Sequence, residues 1–297
     1  MKVFVSGFWP SFLDLEMNEA CNIIWFIKLL NDIYNEEIIY TNNLDEADIL
    51  LNAIDTAEQS KYYFYYKEWK ASFLFTGESY YFRDNDVKYL SSYTCVLGYN
   101  PTNENYIEFP LYLLYMKMHD NINYEPTKCI NNNDVSVVIS NNKPQNILYF
   151  LNKLDKRMNV LYGGKYKNNI GGKVEGNWWS SSLIDFYKKS KFVITMENTK
   201  IEHYITEKLI NGFRAGIVPI YWGSPHISKH FNPKRFIVLE DDSESSMDAV
   251  IDRMINMSDE EYFKMVNEPI FNEGINIDIV YNNAVNNIKK LVFKNKN

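Results

Sequence analysis

Short apolar runs and longer mixed segments alternate along the chain, and this rhythm predicts its elements. VFVSGF (3–8) reads as a first buried strand, closed at Trp9-Pro10, and EMNEACNIIWFIKLLNDIY (16–34) is long enough for a helix. EEIIYT, ADILLNAI, ASFLFTG and TCVLGYN follow as β-type runs with loops or helix between them. Near residue 120 the texture turns polar, and HDNINYEPTKCINNND (119–134) marks a boundary between residues 1–128 and 129–297. The rhythm then restarts. VSVVIS (135–140), NVLYGG (159–164), KFVITMENT (191–199), IVPIYWG (217–223) and FIVLED (236–241) read as strands. PQNILYFLNKLDKR (144–157), SSSLIDFYKKS (180–190) and EHYITEKLINGFRAG (202–216) read as helices, and Ser258 to Glu261 fits a capping box that opens another. Strands that alternate with helices predict an α/β protein with two Rossmann-like, mostly parallel sheets.

Composition narrows the classes. A chain of 297 residues with 46% hydrophobic positions supports a folded two-lobed protein, and a net charge of -7 gives no overall attraction to nucleic acid or anionic membrane. Cys21, Cys95 and Cys129 are scattered without zinc-site spacing or a disulfide framework, which suits a reducing compartment. MKVFVSGFWPSF does not have the form of a signal peptide, and no window approaches ~18 uninterrupted apolar residues. The expectation is a soluble cytoplasmic protein.

Ligands of such sheets bind beyond the carboxyl ends of the strands, often between domains. Two segments stand there: Gly77-Glu78-Ser79 after ASFLFTG, and Glu197-Asn198-Thr199 after KFVITM. The second runs into the helix expected over 202–216. On that helix Tyr204, Glu207 and Lys208 would share one face of the first two turns. A helix N-terminus favours phosphate, Lys208 adds a charge, Tyr204 a hydroxyl, and Glu207 a carboxylate suited to ribose hydroxyls. Together they meet the needs of a nucleoside diphosphate; a solvent-exposed Glu–Lys face accounts for the same spacing.

The string ENTKIEHYITEKLINGFRAGIVPIYWGSP (197–225) resembles the signature of the alpha-1,3-fucosyltransferases, and HISKHFNPKRFI (226–237) continues the likeness. VVISNN, LYGGKYKNNIGG, FLFTGES and IEFPLYLLY resemble further segments of that family, so the resemblance runs from the first strand to about residue 240. It implies inverting transfer of L-fucose from GDP-fucose to an acceptor glycan. The implied fold is two Rossmann domains facing each other across a cleft (GT-B). No cofactor and no essential metal are implied. Carried over by position, Asn198, Tyr204 and Lys208 would contact the diphosphate region, Glu207 the ribose, and Glu78 would be the general base, with Glu68 and Glu108 as rival carboxylates. Glu197 and the Trp222-Gly223-Ser224 turn would support the site.

Two departures matter. Ile147 stands where the family has a phosphate-pairing arginine, leaving Lys143, Arg157 or Lys165 as substitutes, and Ser79 replaces an asparagine. Another GDP- or UDP-sugar donor, or a nucleotide-sugar-binding module without catalysis, stays open as an alternative.

Other features carry less. Asp84-Asn85-Asp86 is a D-x-D triplet of the kind that holds a metal in other glycosyltransferases, and His226 and His230 lie four apart without a third ligand nearby. Asp241 to Glu244 reads as a solvated acidic loop, and Trp178-Trp179 as either sugar platforms or core.

Overall fold

The computed structural model describes the chain except residues 16–21, 55–56, 78–91, 99–103, 119–123, 127–134, 141, 143 and 295–297. It divides into two compact units, Met1–Met118 with Ile277–Asn297, and His119–Asn276.

The first unit holds a six-stranded, wholly parallel sheet. In chain order its strands are β1 (Lys2–Ser6), β2 (Ile39–Tyr40), β3 (Ile49–Ala53), β4 (Ala71–Phe75), β5 (Cys95–Gly98) and β6 (Tyr106–Glu108). They lie side by side as β2-β1-β3-β4-β5-β6. Every residue of β3 and β4 is buried, as expected of strands covered on both faces.

Helix α1 (Ile23–Tyr34) buries Trp25, Phe26, Leu29, Leu30 and Ile33, the spacing of one helical face, and Asn22 caps its start by accepting from Ile24 N–H. The remaining helices of this unit are α2 (Ala57–Tyr65), α3 (Leu111–Met118) and the C-terminal α9 (Ile277–Val292).

Helix α9 departs from the expected division. Sequence grouped residues 277–297 with the second domain, but α9 packs on α1 and α3. Its buried stripe, Val280, Tyr281, Ala284, Val285 and Ile288, needs an apolar partner, and the Tyr281 hydroxyl donates to Asp32 of α1 at 2.6 Å. Nothing in the local pattern of a helix says which distant sheet it will cover.

The second unit holds a five-stranded parallel sheet. Its strands are β7 (Val135–Val137), β8 (Val160–Tyr162), β9 (Phe192–Ile194), β10 (Val218–Tyr221) and β11 (Ile237–Val238). They lie in the order β11-β10-β9-β7-β8, with Ile220 opposite both Ile194 and Ile237. Helices α4 (Gln145–Leu154), α5 (Ser181–Tyr187), α6 (Glu207–Arg214), α7 (Glu244–Asn256) and α8 (Asp259–Asn267) complete it.

Ser258 accepts from Glu261 N–H at 3.1 Å, the cap expected at the start of α8. The acidic stretch after β11 is a cap instead of a free loop: Ser243 accepts from Ser246 N–H to open α7, with Asp241 accepting from Ser243 N–H.

Candidate functional site

In the second unit, one of the pockets among the described residues opens where β7, β8 and β9 end. It measures about 400 Å³, and its wall includes Ile139, Ser140, Gly164, Lys165, Ile194 and Asn198. This is the carboxyl edge of the sheet, where parallel α/β proteins bind ligands.

The Gly163-Gly164 turn shapes one side. A Cβ on Gly164 would lie 2.1 Å from the Ile139 carbonyl oxygen, so only glycine lets the turn close against the end of β7 and present Lys165 at the rim. Lys173, Glu175, Asn177 and Trp178 continue the wall, and Asn211, Glu207 and Lys208 of α6 form the opposite part.

The helix does not begin where its sequence pattern places it. Thr206 is the N-cap and Glu207 the first helical residue, so Tyr204 lies before the helix and shares no helical face with Glu207 and Lys208. The cause is Thr206 itself. Its hydroxyl accepts from Lys208 N–H at 3.3 Å and donates to Glu197 Oε2 at 2.8 Å. Its backbone N–H donates to Glu197 Oε1 at 2.7 Å. Capping by a threonine that also satisfies a buried carboxylate outweighs the weak propensity of one more helical turn. Tyr204 is buried and forms no part of the pocket wall.

Glu197 is the centre of this arrangement. It is fully buried at the end of β9, and its N–H donates to the Trp222 carbonyl at 2.7 Å, carrying the β9–β10 pairing past the strands. Lys208 Nζ donates to Glu197 Oε2 and to Thr206 Oγ1, each at 3.2 Å, and lies 3.6 Å from Glu207 Oε1. Burial raises the pKa of the Glu197 carboxyl, against the opposing pull of Lys208 and the Thr206 hydrogen bonds. Burial disfavours the charged form of Lys208, but Glu207 and Glu197 outweigh it and hold the ammonium charged well above the usual lysine range. A charged lysine with 30% of its side chain exposed therefore faces the pocket from a rigid socket.

The Trp222-Gly223-Ser224 turn locks the socket from below. A Cβ on Gly223 would come within 2.5 Å of the Tyr221 hydroxyl and 2.6 Å of Glu197 Cγ. Ser224 N–H donates to that same tyrosine hydroxyl at 2.9 Å.

Of the residues that sequence singled out, the pocket brings together Asn198, Glu207, Lys208 and Lys165, with Ile147 on the same wall. Arg157 is elsewhere, pairing with Asp252 at 2.5 Å on the surface. Glu78, Lys143, Asp84 and Asp86 lie outside the described residues. Trp178 and Trp179 part company: Trp178 lines the pocket, while Trp179 is buried with the Arg214 guanidinium 3.9 Å over its ring.

Lys173 and Asn211 were missed. Lys173 follows a second Gly-Gly pair, which signals a turn but not where the turn points. Both Lys165 and Lys173 are exposed and, among the described residues, without an ion-pair partner.

A Rossmann-like unit with lysines around a pocket at its strand ends has the features of an α/β domain that binds an anionic ligand. Residues 130–267 match the model of glycosyltransferase family 10 (fucosyltransferase), C-terminal region.

A protein of Acanthamoeba polyphaga mimivirus is 36% identical over 156 residues, covering 50% of this chain and 26% of its own. The alpha-(1,3)-fucosyltransferase FucT of Helicobacter pylori is 30% identical over 139 residues, covering 47% and 25%. The chain thus spans about a quarter of the length of these curated relatives.

A crystal structure of an alpha-1,3-fucosyltransferase aligns over 100% of this chain and 91% of its own, with a TM-score of 0.73 at 21% identity. Structures of alpha-1,3-fucosyltransferase with GDP and with GDP-fucose align with TM-scores of 0.70 and 0.67 over the same shares. The α/β fold with two parallel sheets is theirs. Among the described residues, no helix is long and apolar enough to cross a membrane.

Proposed function

We propose that the protein transfers L-fucose from GDP-fucose to a hydroxyl of an acceptor glycan, with inversion. The observation that carries this reading is the pocket of the family-10 unit, where Lys208, fixed by a buried glutamate, meets Lys165, Lys173 and Asn198 at the strand ends. A lysine held charged suits a diphosphate, and Glu207, also on the wall, suits ribose hydroxyls. Glu78 is proposed as the general base, because an inverting transfer needs a carboxylate to take the proton of the incoming hydroxyl. Lys143 is a further candidate cation.

We also propose that transfer requires no bound metal, since three lysines at the pocket wall supply positive charge for the leaving GDP. A cytoplasmic setting completes the reading and suits Cys95, a buried free thiol.

The test is a glycan panel assayed with GDP-fucose, GDP-mannose and UDP-sugars, scoring transfer and donor hydrolysis separately, with and without EDTA. Transfer from GDP-fucose that survives chelation is expected. A chain that binds GDP but transfers no sugar would be the binding module suggested by Ile147, which lines the pocket and stands, by the sequence resemblance, at the position of a family arginine. Loss of transfer on chelation, restored by manganese, would favour the triplet at Asp84 and Asp86.

A further inference from the structure

Glu202, His203 and His226 lie off the donor pocket and take no part in the reaction proposed above. Sequence pairs His226 with His230, four residues on, but the fold pairs it with His203. His226 Nδ1 stands 3.2 Å from His203 Nε2, and one ligand atom from each of Glu202, His203 and His226 lies within 4.8 Å of the others. The Glu202 carboxylate is also 4.0 Å from His226 Nε2.

The two imidazoles are held in place by their backbones. The Ser224 hydroxyl oxygen accepts from His203 N–H at 2.9 Å and from His226 N–H at 3.2 Å, so one buried atom fixes both residues. His203 also sits in the left-handed region at φ 62, which few non-glycine residues tolerate and which aims its ring across the turn at His226.

We propose that Glu202, His203 and His226 form a binding site for a divalent transition metal ion of the zinc class. Two imidazoles and a carboxylate are the ligand set of a three-ligand zinc site, with water in the fourth position. Nitrogens about 2.0–2.1 Å from one tetrahedral ion stand about 3.3–3.4 Å apart, close to the separation found here. Calcium and magnesium prefer oxygen ligands and fit poorly. The ion joins the loop before α6 to the turn after β10, both already tied to Ser224. Coordination uses His203 Nε2 and His226 Nδ1, which leaves the other ring nitrogen of each to carry the proton.

The alternative is a plain hydrogen bond between two neutral rings, and metal titration separates the two. Purified full-length chain, stripped with EDTA and desalted, is titrated with zinc chloride by calorimetry and with cobalt chloride by visible absorption. Uptake of about one equivalent is expected, with a raised melting temperature and a tetrahedral cobalt spectrum. Binding should disappear in His203→Asn, which tolerates the left-handed backbone, and in His226→Gln. It should weaken in Glu202→Gln and persist in His230→Ala. No uptake at about 100 µM zinc, or equal uptake in the wild type and both imidazole variants, overturns the site. Should His203→Asn fail to fold, as judged by its melt in EDTA, His226→Gln and Glu202→Gln decide.

Discussion

Lys208 Nζ stands 3.2 Å from Glu197 Oε2, and the glutamate has none of its side chain exposed. The lysine that faces the pocket is thus also the partner that makes a buried carboxylate tolerable.

Removing the lysine should therefore harm the fold as well as the binding of nucleotide. Lys208→Met leaves Glu197 buried and unpaired, a loss of about 3–5 kcal/mol. Lys208→Met with Glu197→Gln should recover part of it, because the stranded charge is gone. Urea midpoints of the two single variants and the double variant form the cycle. Additive losses would mean that the pair contributes nothing beyond its members.

The cations of the pocket should separate by position. Lys165→Ala and Lys173→Ala are expected to lower the rate with GDP-fucose by about 10- to 100-fold each, from loss of charge-assisted contacts. Arg157→Ala, on the surface with Asp252, should have little effect. Glu207→Ala should weaken GDP binding in calorimetry and also lower the melting temperature, since the mostly buried Glu207 carboxylate, 3.6 Å from Lys208 Nζ, helps to hold that ammonium charged. A rate unchanged in both lysine variants would leave Lys143, Lys208 and backbone N–H groups to meet the leaving charge.

Glu78→Gln keeps the shape of the side chain and removes its basicity. Turnover should fall by about 100- to 10,000-fold. GDP affinity should hold, because the pocket wall belongs to the second unit. A Gln variant that transfers at close to the wild-type rate removes Glu78 from the mechanism and turns attention to Glu68 and Glu108.

Acid should unfold the second unit partly through Asp241. Hydrogen bonds from Ser243 and Ser246, at the start of α7, lower its carboxyl from 3.8 to about 2. A depressed folded pKa means stability that is present above 3.8 and lost as pH falls toward about 2. Glu244, lowered through Lys153 in the same unit, adds to the same slope, while Glu46 and Asp48, lowered through Lys2 and Lys70, act in the first unit. Melting temperatures between pH 5 and about pH 2 should fall, and Asp241→Asn should flatten the fall. An equal slope in that variant would show that Asp241 is as well hydrogen-bonded in the unfolded chain.

What the sequence settled by itself is the set of local choices. The runs at Ile49–Ala53, apolar but for Asn52, and at Val218–Tyr221 make strands covered on both faces, because that much apolar surface leaves water and the backbone buried with it must pair in the sheet. Ser258 with Glu261 forecast a helix start, and the segment from Glu197 to Pro225 pointed to the strand end beside which a pocket opens.

Tertiary structure decided what depends on distant partners. The helix carrying Lys208 starts at Glu207 because Thr206 bonds to Glu197, nine residues away in sequence and buried beneath it. Lys173 and Trp178 reach the pocket, and Arg157 does not, because loop paths follow packing and not periodicity. Helix α9 joined the first sheet because its apolar stripe found α3 and, across more than 240 residues, α1, pairings that no local pattern encodes. His226 likewise faces His203, since Ser224 and a left-handed backbone bring together two turns that the chain keeps 23 residues apart.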